Sequence, residues 1–268
     1  MGFIDAYLTG LLVALGFMTA IWVASLVLKD SSIVDICWGV GFVVAAWVYF
    51  ALTPDGFQGR KLLIGALVTI WGLRLSIHIL RRNWGRGEDF RYRQWREAAG
   101  ASWWWRSFFK VYLLQGVILW IVSAPLLAAQ ISPTPGALTV VDGLGVAAWA
   151  VGFFFEAVGD WQLERFKANP ANKGKVLMAG VWRYTRHPNY FGDAAQWWGI
   201  WLVAAATGAG LLTIFSPALM TFLLVKVSGV ALLEKSLAET RPGYKEYMET
   251  TSAFIPRFPR DRRRRGRI

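Results

Sequence analysis

Fourteen consecutive residues, Gly180-Val-Trp-Arg-Tyr-Thr-Arg-His-Pro-Asn-Tyr-Phe-Gly-Asp193, gather three cationic or imidazole side chains, two tyrosines, an asparagine and a carboxylate. An apolar segment follows at once, beginning Ala194-Ala195-Gln196-Trp197-Trp198. Pro188 keeps His187 out of the right-handed helical region and can fill the first turn of the next helix. Arg186, His187 and the free amides of that helix start would converge on one place, which suits a phosphate. Polar groups are costly beside lipid, so so dense a cluster at a membrane boundary predicts a cofactor site rather than packing alone.

Other stretches add to it. Glu156, Asp160 and Glu164 fall four residues apart, ahead of Lys167, and form one acidic helix stripe. Like charges on one face oppose each other unless hydroxyls or cations face them; nucleotide ribose hydroxyls or an amide would serve, as would Lys167, Lys173 or Arg186. In the N-terminal half, Asp35 reads either as a helix N-terminal carboxylate or as an acid facing a cavity. Arg74 and His78 share a helix face and are candidates for lining a site. The run from Arg81 to Arg96 alternates charge with aromatics. It reads as a cytoplasmic loop on the headgroups or, at Glu88-Asp-Phe-Arg-Tyr92, as a cap over the third span; its arginines would suit the 2′-phosphate of NADP. With two histidines and one cysteine, Cys37, the chain is expected to hold no metal site and no internal disulfide. No GxGxxG or P-loop lysine motif occurs, so a dinucleotide must be bound without a Rossmann fold.

The elements that position these residues are apolar helices. The chain has 268 residues, 55% of them hydrophobic, with 16 Trp and a net charge of +12. Apolar runs long enough for about 30 Å of hydrocarbon recur throughout. The expected fold is an all-α polytopic membrane protein of about seven transmembrane helices, one membrane domain over 1–268. Residues 1–135 form the substrate side, 136–259 the cofactor-binding half and 260–268 a basic tail. The spans run roughly Ile4 to Leu28, Ile33 to Leu52, Leu62 to Leu80, Ser107 to Gln130, Asp142 to Val158, Ala194 to Ala206 and Leu211 to Leu233. The start, Met1 to Gly10, lacks the basic region of a signal peptide, so the first helix is kept. Seven Arg lie between Arg81 and Arg106, six Lys or Arg between Asp160 and Tyr190, and ten after Leu233. The positive-inside rule puts these segments in the cytoplasm and the N-terminus outside, with Arg60 and Lys61 the exception on an outer loop. The tail, lacking aromatics and beside a membrane, fits anionic lipid headgroups rather than nucleic acid.

Five stretches together resemble the steroid 5α-reductase superfamily, most closely its bacterial membrane branch. They are Ser32-Ile-Val-Asp-Ile-Cys-Trp-Gly39, Trp71-Gly-Leu-Arg-Leu75, Gly87-Glu-Asp-Phe-Arg-Tyr92, Gly180 to Gly192, and Gly243-Tyr-Lys-Glu-Tyr247 through Pro256. The resemblance implies seven helices and NADPH in a cytoplasm-facing cavity of the C-terminal half. It implies hydride transfer to the β-carbon of an enone-type double bond, with an acidic or tyrosyl hydrogen bond on the carbonyl. By motif, Asp160, Tyr184, Asn189, Tyr190, Asp193 and Trp197 would lie along the nucleotide. Glu156 stands where steroid reductases have an asparagine. The Gln-Glu pair and tyrosine that grip a steroid ketone have no clear match, while Asp35 and the Arg74/His78 face occupy comparable regions.

The expected activity is therefore an NADPH-dependent membrane reductase acting on a hydrophobic, steroid-like or lipid substrate from the bilayer, in a bacterial inner membrane. Its catalytic candidates are Asp35, Arg74 and His78. Its cofactor candidates are Glu156, Asp160, Glu164, Lys167, Tyr184, Arg186, His187, Asn189, Tyr190, Asp193, Trp197 and Tyr244. A rival class, the isoprenylcysteine-type and phospholipid methyltransferases, carries a similar Arg-His-Pro-x-Tyr-x-Gly and binds S-adenosylmethionine. Its Glu-Glu pair reads Glu234-Lys235 here. A non-enzymatic lipid-binding protein is the third reading; it leaves the intramembrane charges unexplained.

Overall fold

The computed structural model describes residues 1–227 and 229–259; the basic tail 260–268, expected to meet anionic headgroups, lies outside them. Among the described residues the chain is all-helical, with one isolated parallel bridge between Thr185 and Ser252. Six helical stretches there are long and apolar enough to cross a membrane, as in an integral membrane protein: Phe3–Leu28, Ile33–Leu52, Gln58–Asn83, Phe90–Ile131, Val140–Ala168 and Ala209–Val227. The helix over the sixth expected span, Pro188–Ala205, is not among them. Asn189, Asp193 and Gln196 dilute the apolar character of its first half.

The chain divides into two compact units, Met1–Gly143 with Ile200–Ser216, and Leu144–Gly199 with the chain from Pro217 onward. In the first unit lie α1 (Phe3–Leu28), α2 (Ile33–Leu52), α3 (Gln58–Asn83), α4 (Phe90–Ala99) and α5, a composite helix over 103–131. The α2 and α3 backbones touch at a pair of glycines, where a Cβ on either Gly39 or Gly72 would collide with the other's backbone. Phe42, Ile64, Val68 and Trp71 are fully buried around that crossing.

The α5 composite breaks at Ser123 because Pro125 cannot donate to the carbonyl one turn back. The loosened carbonyls are met by side chains, as buried backbone groups must be. Ser216 Oγ donates to the Val122 carbonyl at 2.6 Å and the Tyr7 hydroxyl to the Trp120 carbonyl at 3.2 Å.

Arg60 and Lys61, the exception to the charge pattern, are buried rather than solvated. Arg60 is 0% exposed, with Nε 2.8 Å and Nη2 3.2 Å from the Asp142 carboxylate. Lys61 Nζ donates to the Thr53 carbonyl at 2.6 Å and lies 4.2 Å from the Phe50 ring centroid. Cations held inside the fold are poor topology signals.

The second unit is built on α6 (Val140–Ala168) from Leu144 onward and on α7 (Pro188–Ala205) up to Gly199. Gly145, Gly152 and Gly159, spaced by seven on α6, meet Gly199, Gly192 and Pro188 of an antiparallel α7. A heptad row of small residues keeps one face turned to its partner along its whole length. The composite α8 (Ala209–Val227), α9 (Val230–Thr240) and α10 (Tyr244–Thr250) complete the described elements.

Candidate active site

In the second unit, the motif loop is fixed before α7 begins. The Thr185 hydroxyl donates to the Phe254 carbonyl at 2.8 Å and accepts from the His187 amide at 3.3 Å, satisfying one of the free donors at the helix start. Arg186 and His187 then turn to one carboxylate on α9. Arg186 reaches Glu234 through Nε at 2.7 Å and Nη2 at 2.6 Å, and His187 Nε2 lies 3.3 Å from the same oxygen. Arg186 Nη1 donates to the carbonyls of Met248, at 2.9 Å, and Thr251. The Tyr247 hydroxyl donates to the Trp182 carbonyl, and the Arg257 amide to the Tyr184 carbonyl at 2.9 Å. The segment after α9 is thereby strapped onto the motif.

Burial alone would raise the Glu234 pKa, but hydrogen bonds from His187 and Arg186, with the Arg186 charge, outweigh it and bring the carboxyl down to about 2. Burial and the Glu234 charge push Tyr244 up to about 12, against the pull of Arg186. The Tyr244 hydroxyl is buried and meets no hydrogen-bond partner of good geometry. The Arg186–His187 pair, expected to hold a phosphate, holds a carboxylate of the protein itself. The His187 ring also stacks on Tyr190, with centroids 5.7 Å apart.

The acidic stripe meets its counterpart on α7. Glu156 and Asp160 are 2% and 6% exposed, whereas Glu164 and Lys167 are exposed to solvent. Gln196 Nε2 donates to Glu156 at 2.6 Å and Asn189 Nδ2 to Asp160 at 3.1 Å. Two side-chain amides thus face two carboxylates, which relieves the repulsion within the stripe. Gln196 Oε1 is buried without a hydrogen-bond partner, so an acceptor remains on this ladder. Trp197 is fully buried below it, while Tyr184 and Asp193 are half-buried.

In the first unit, Asp35 sits in the first turn of α2. It accepts from the Tyr92 hydroxyl at 2.6 Å and from Arg91 Nη2 at 3.0 Å. At the start of α2 the Asp35 carboxyl group thus takes a phenol and a guanidinium as its two donors. Asp89 caps α4 by accepting from the Arg91 amide at 3.0 Å, and takes Arg91 Nε at 2.9 Å. Glu88 accepts from the Ser31 amide at 2.7 Å and from both Nε and Nη2 of Arg96, at 2.9 and 2.8 Å. Burial would raise both acids, but the arginine hydrogen bonds hold each below the usual carboxylate range. The Gly87-Glu-Asp-Phe-Arg-Tyr92 stretch therefore braces the α1–α2 turn and delivers Tyr92 to Asp35. Arg74 and His78 are half-buried on α3.

Residues 21–251 match the family model described as "Protein of unknown function (DUF1295)". The chain belongs to this family. DUF1295 is related to the steroid 5α-reductase superfamily. An uncharacterized protein of the fission yeast Schizosaccharomyces pombe is 26% identical, over 95% of this chain and 80% of its own length. No solved structure matches.

Four residues of these clusters are not among the candidates named from the sequence: Arg91, Tyr92, Gln196 and Glu234. Tyr92 lies in a stretch that resembles the family, and Glu234 stands where the methyltransferases have a glutamate pair. Gln196 falls seven residues after Asn189, a spacing that puts the two amides on one helix face.

Proposed function

We propose that this chain is an NADPH-dependent membrane reductase that adds hydride to an activated carbon–carbon double bond of a hydrophobic compound drawn from the bilayer. The observation that carries the reading is the Tyr92 phenol, 2.6 Å from the Asp35 carboxylate and flanked by Arg91. A tyrosine paired with an acid is the equipment that polarising a conjugated carbonyl requires. Reduction at the β-carbon leaves negative charge on the carbonyl oxygen, and a preorganised donor aimed at that charge lowers the barrier most. Tyr92 would turn its hydroxyl hydrogen from Asp35 to that oxygen and give it up there, Arg91 would hold Asp35 beside the phenol, and water would return the proton. The resulting enol then tautomerises to the saturated carbonyl.

The second unit suits the cofactor in its donor set. The nicotinamide and ribose end of NADPH presents N–H and O–H groups, and the Glu156, Asp160 and Gln196 acceptors, with Gln196 Oε1 unmet, are complementary to them. Arg186 is occupied by Glu234 and two carbonyls, so the phosphates fall to exposed Lys167, Lys173, Lys175 and Arg183. When bound, NADPH supplies the hydride.

A second reading, S-adenosylmethionine-dependent methyl transfer, is favoured by the union of Arg186, His187 and Glu234, since both methyltransferase signatures meet in that one contact. The reductase reading also takes Pro188–Ala205 as a seventh crossing, places the basic segments in the cytoplasm with the N-terminus outside, and sets the chain in a bacterial inner membrane. The burial of Arg60 against Asp142 and of Lys61 against the Thr53 carbonyl supports that orientation.

Thermal denaturation of the purified protein, titrated with NADPH, NADH and S-adenosylmethionine, separates these readings. NADPH at about 100 times its Kd should add roughly 2.7 kcal/mol of stability, with little effect of the others. Stabilisation by S-adenosylmethionine alone would establish the methyltransferase, and indifference to all three would leave a lipid-binding protein.

A further inference from the structure

A separate surface of the first unit lies where α4 meets the start of α5. Arg93, Arg106 and Lys110 are exposed on these helices, and Arg81, Arg82 and Arg86 are exposed at the end of α3 and in the loop that leads to α4. They are interleaved with large exposed rings: Trp84 at 77%, Phe90 at 60%, Trp104 at 58% and Phe109 at 57%. Of the acids in this stretch, Glu88 is held by Arg96 and Asp89 by Arg91, which leaves Glu97 exposed among the cations. Water alone is a poor solvent for such a set of rings. The headgroup layer accepts both parts, with tryptophans at the glycerol level and cationic stems reaching the phosphates.

Two of the cations are held rather than loose. Lys110 Nζ lies 4.2 Å from the Trp95 ring centroid, and the Arg106 guanidinium carbon 5.4 Å from that of Trp105. The helix runs through a π turn over Phe108–Leu113. The wider turn changes the direction of the residues it carries, and here it sets Lys110 against a tryptophan of α4. Each of these two positive charges is thus set against an indole ring.

We propose that this surface binds the headgroup of an anionic phospholipid, with Arg106 and Lys110 on the phosphate and Trp95, Trp104 and Trp105 against the glycerol and upper acyl chains. Charge complementarity selects the occupant, because zwitterionic lipid brings its own cation to a site already rich in them. The site is distinct from the basic tail and does not depend on the reductase reading.

The test is lipid selectivity of the full chain in vesicles, read with spin-labelled phosphatidylglycerol against spin-labelled phosphatidylcholine. Phosphatidylglycerol should be preferred, and R106Q/K110Q should reduce the preference about five- to tenfold while circular dichroism stays unchanged. Neutralising Arg262, Arg263, Arg264 and Arg265 instead should leave the Arg106/Lys110-dependent part in place. Equal binding of both lipids, or a preference untouched by R106Q/K110Q, overturns the proposal. Capture of soluble polyglutamate in detergent through the same two cations, without lipid preference, would assign the surface to an acidic protein segment and also overturn it. Should R106Q/K110Q misfold, the single variants W104A and W105A give a second reading, with slower exchange of bound phosphatidylglycerol lost in each.

Discussion

Glu234 makes the motif loop a charge-compensated knot, and its acidity should be visible in stability. Its carboxyl titrates at about 2 in the folded chain, below its ordinary 4.5. The stabilisation it gives is complete above 4.5 and is lost as pH falls from there toward about 2. A depression of that size corresponds to something on the order of 3 kcal/mol. Glu234→Gln should lower Tm at neutral pH and flatten the acid decline across that window, measured as apparent Tm against pH; parallel curves for both proteins would refute the network's importance. Tyr92 answers a different question. Under the reductase reading, Tyr92→Phe should cut NADPH oxidation with an enone lipid about a hundredfold, the usual cost of losing one oxyanion donor. The NADPH-dependent rise in Tm should survive, since Tyr92 belongs to the first unit and the cofactor residues to the second. Loss of both together would mean that Tyr92 acts on the fold instead.

At the scale of elements, glycine position decides which helices come close. Gly152 and Gly192 meet backbone to backbone, so Gly152→Leu should separate α6 from α7 and disturb the Asn189–Asp160 and Gln196–Glu156 pairs. Overpacking of this kind costs about 1 to 3 kcal/mol or more. Gly16 on α1 has open space where a Cβ would go. Gly16→Ala should therefore be neutral or stabilising by roughly 0.5 to 1 kcal/mol, from helix propensity. Thermal unfolding of the two variants side by side checks the argument, and equal losses would refute it. The heptad of glycines on α6 is plain in the sequence. Its meaning is not, because a small residue matters only when another backbone is opposite, and no local pattern names the partner.

For the whole molecule, the pair Arg60–Asp142 ties α3 to the start of α6 within the first unit. Asp142→Asn leaves a buried guanidinium without its countercharge, so a loss of roughly 3 to 5 kcal/mol is expected, while Arg60→Met with Asp142→Asn should recover most of it. A double-mutant cycle on Tm reads this directly. The proposed orientation has its own check. In a Cys37→Ser background, a cysteine at Gly136 should react with a membrane-impermeant maleimide from outside intact cells, and one at Gly85 should not. The reverse pattern would invert the topology.

The amino-acid sequence by itself determined the helical class, the membrane setting, the bounds of the first three spans and the motif at Gly180–Asp193. Each follows from composition, from hydropathy over about twenty residues or from local proline chemistry, all short-range quantities. Tertiary structure alone decided the partners of the charges. Arg186 meets Glu234 across 48 residues, Tyr92 meets Asp35 across 57 and Arg60 meets Asp142 across 82. A charged side chain near lipid must find a counter-charge or a hydrogen bond, so the sequence could say that Asp35 and Arg60 have partners. Which residues those are depends on how helices far apart in the chain pack, and that is fixed by contacts such as Gly39 on Gly72 that only the folded chain contains.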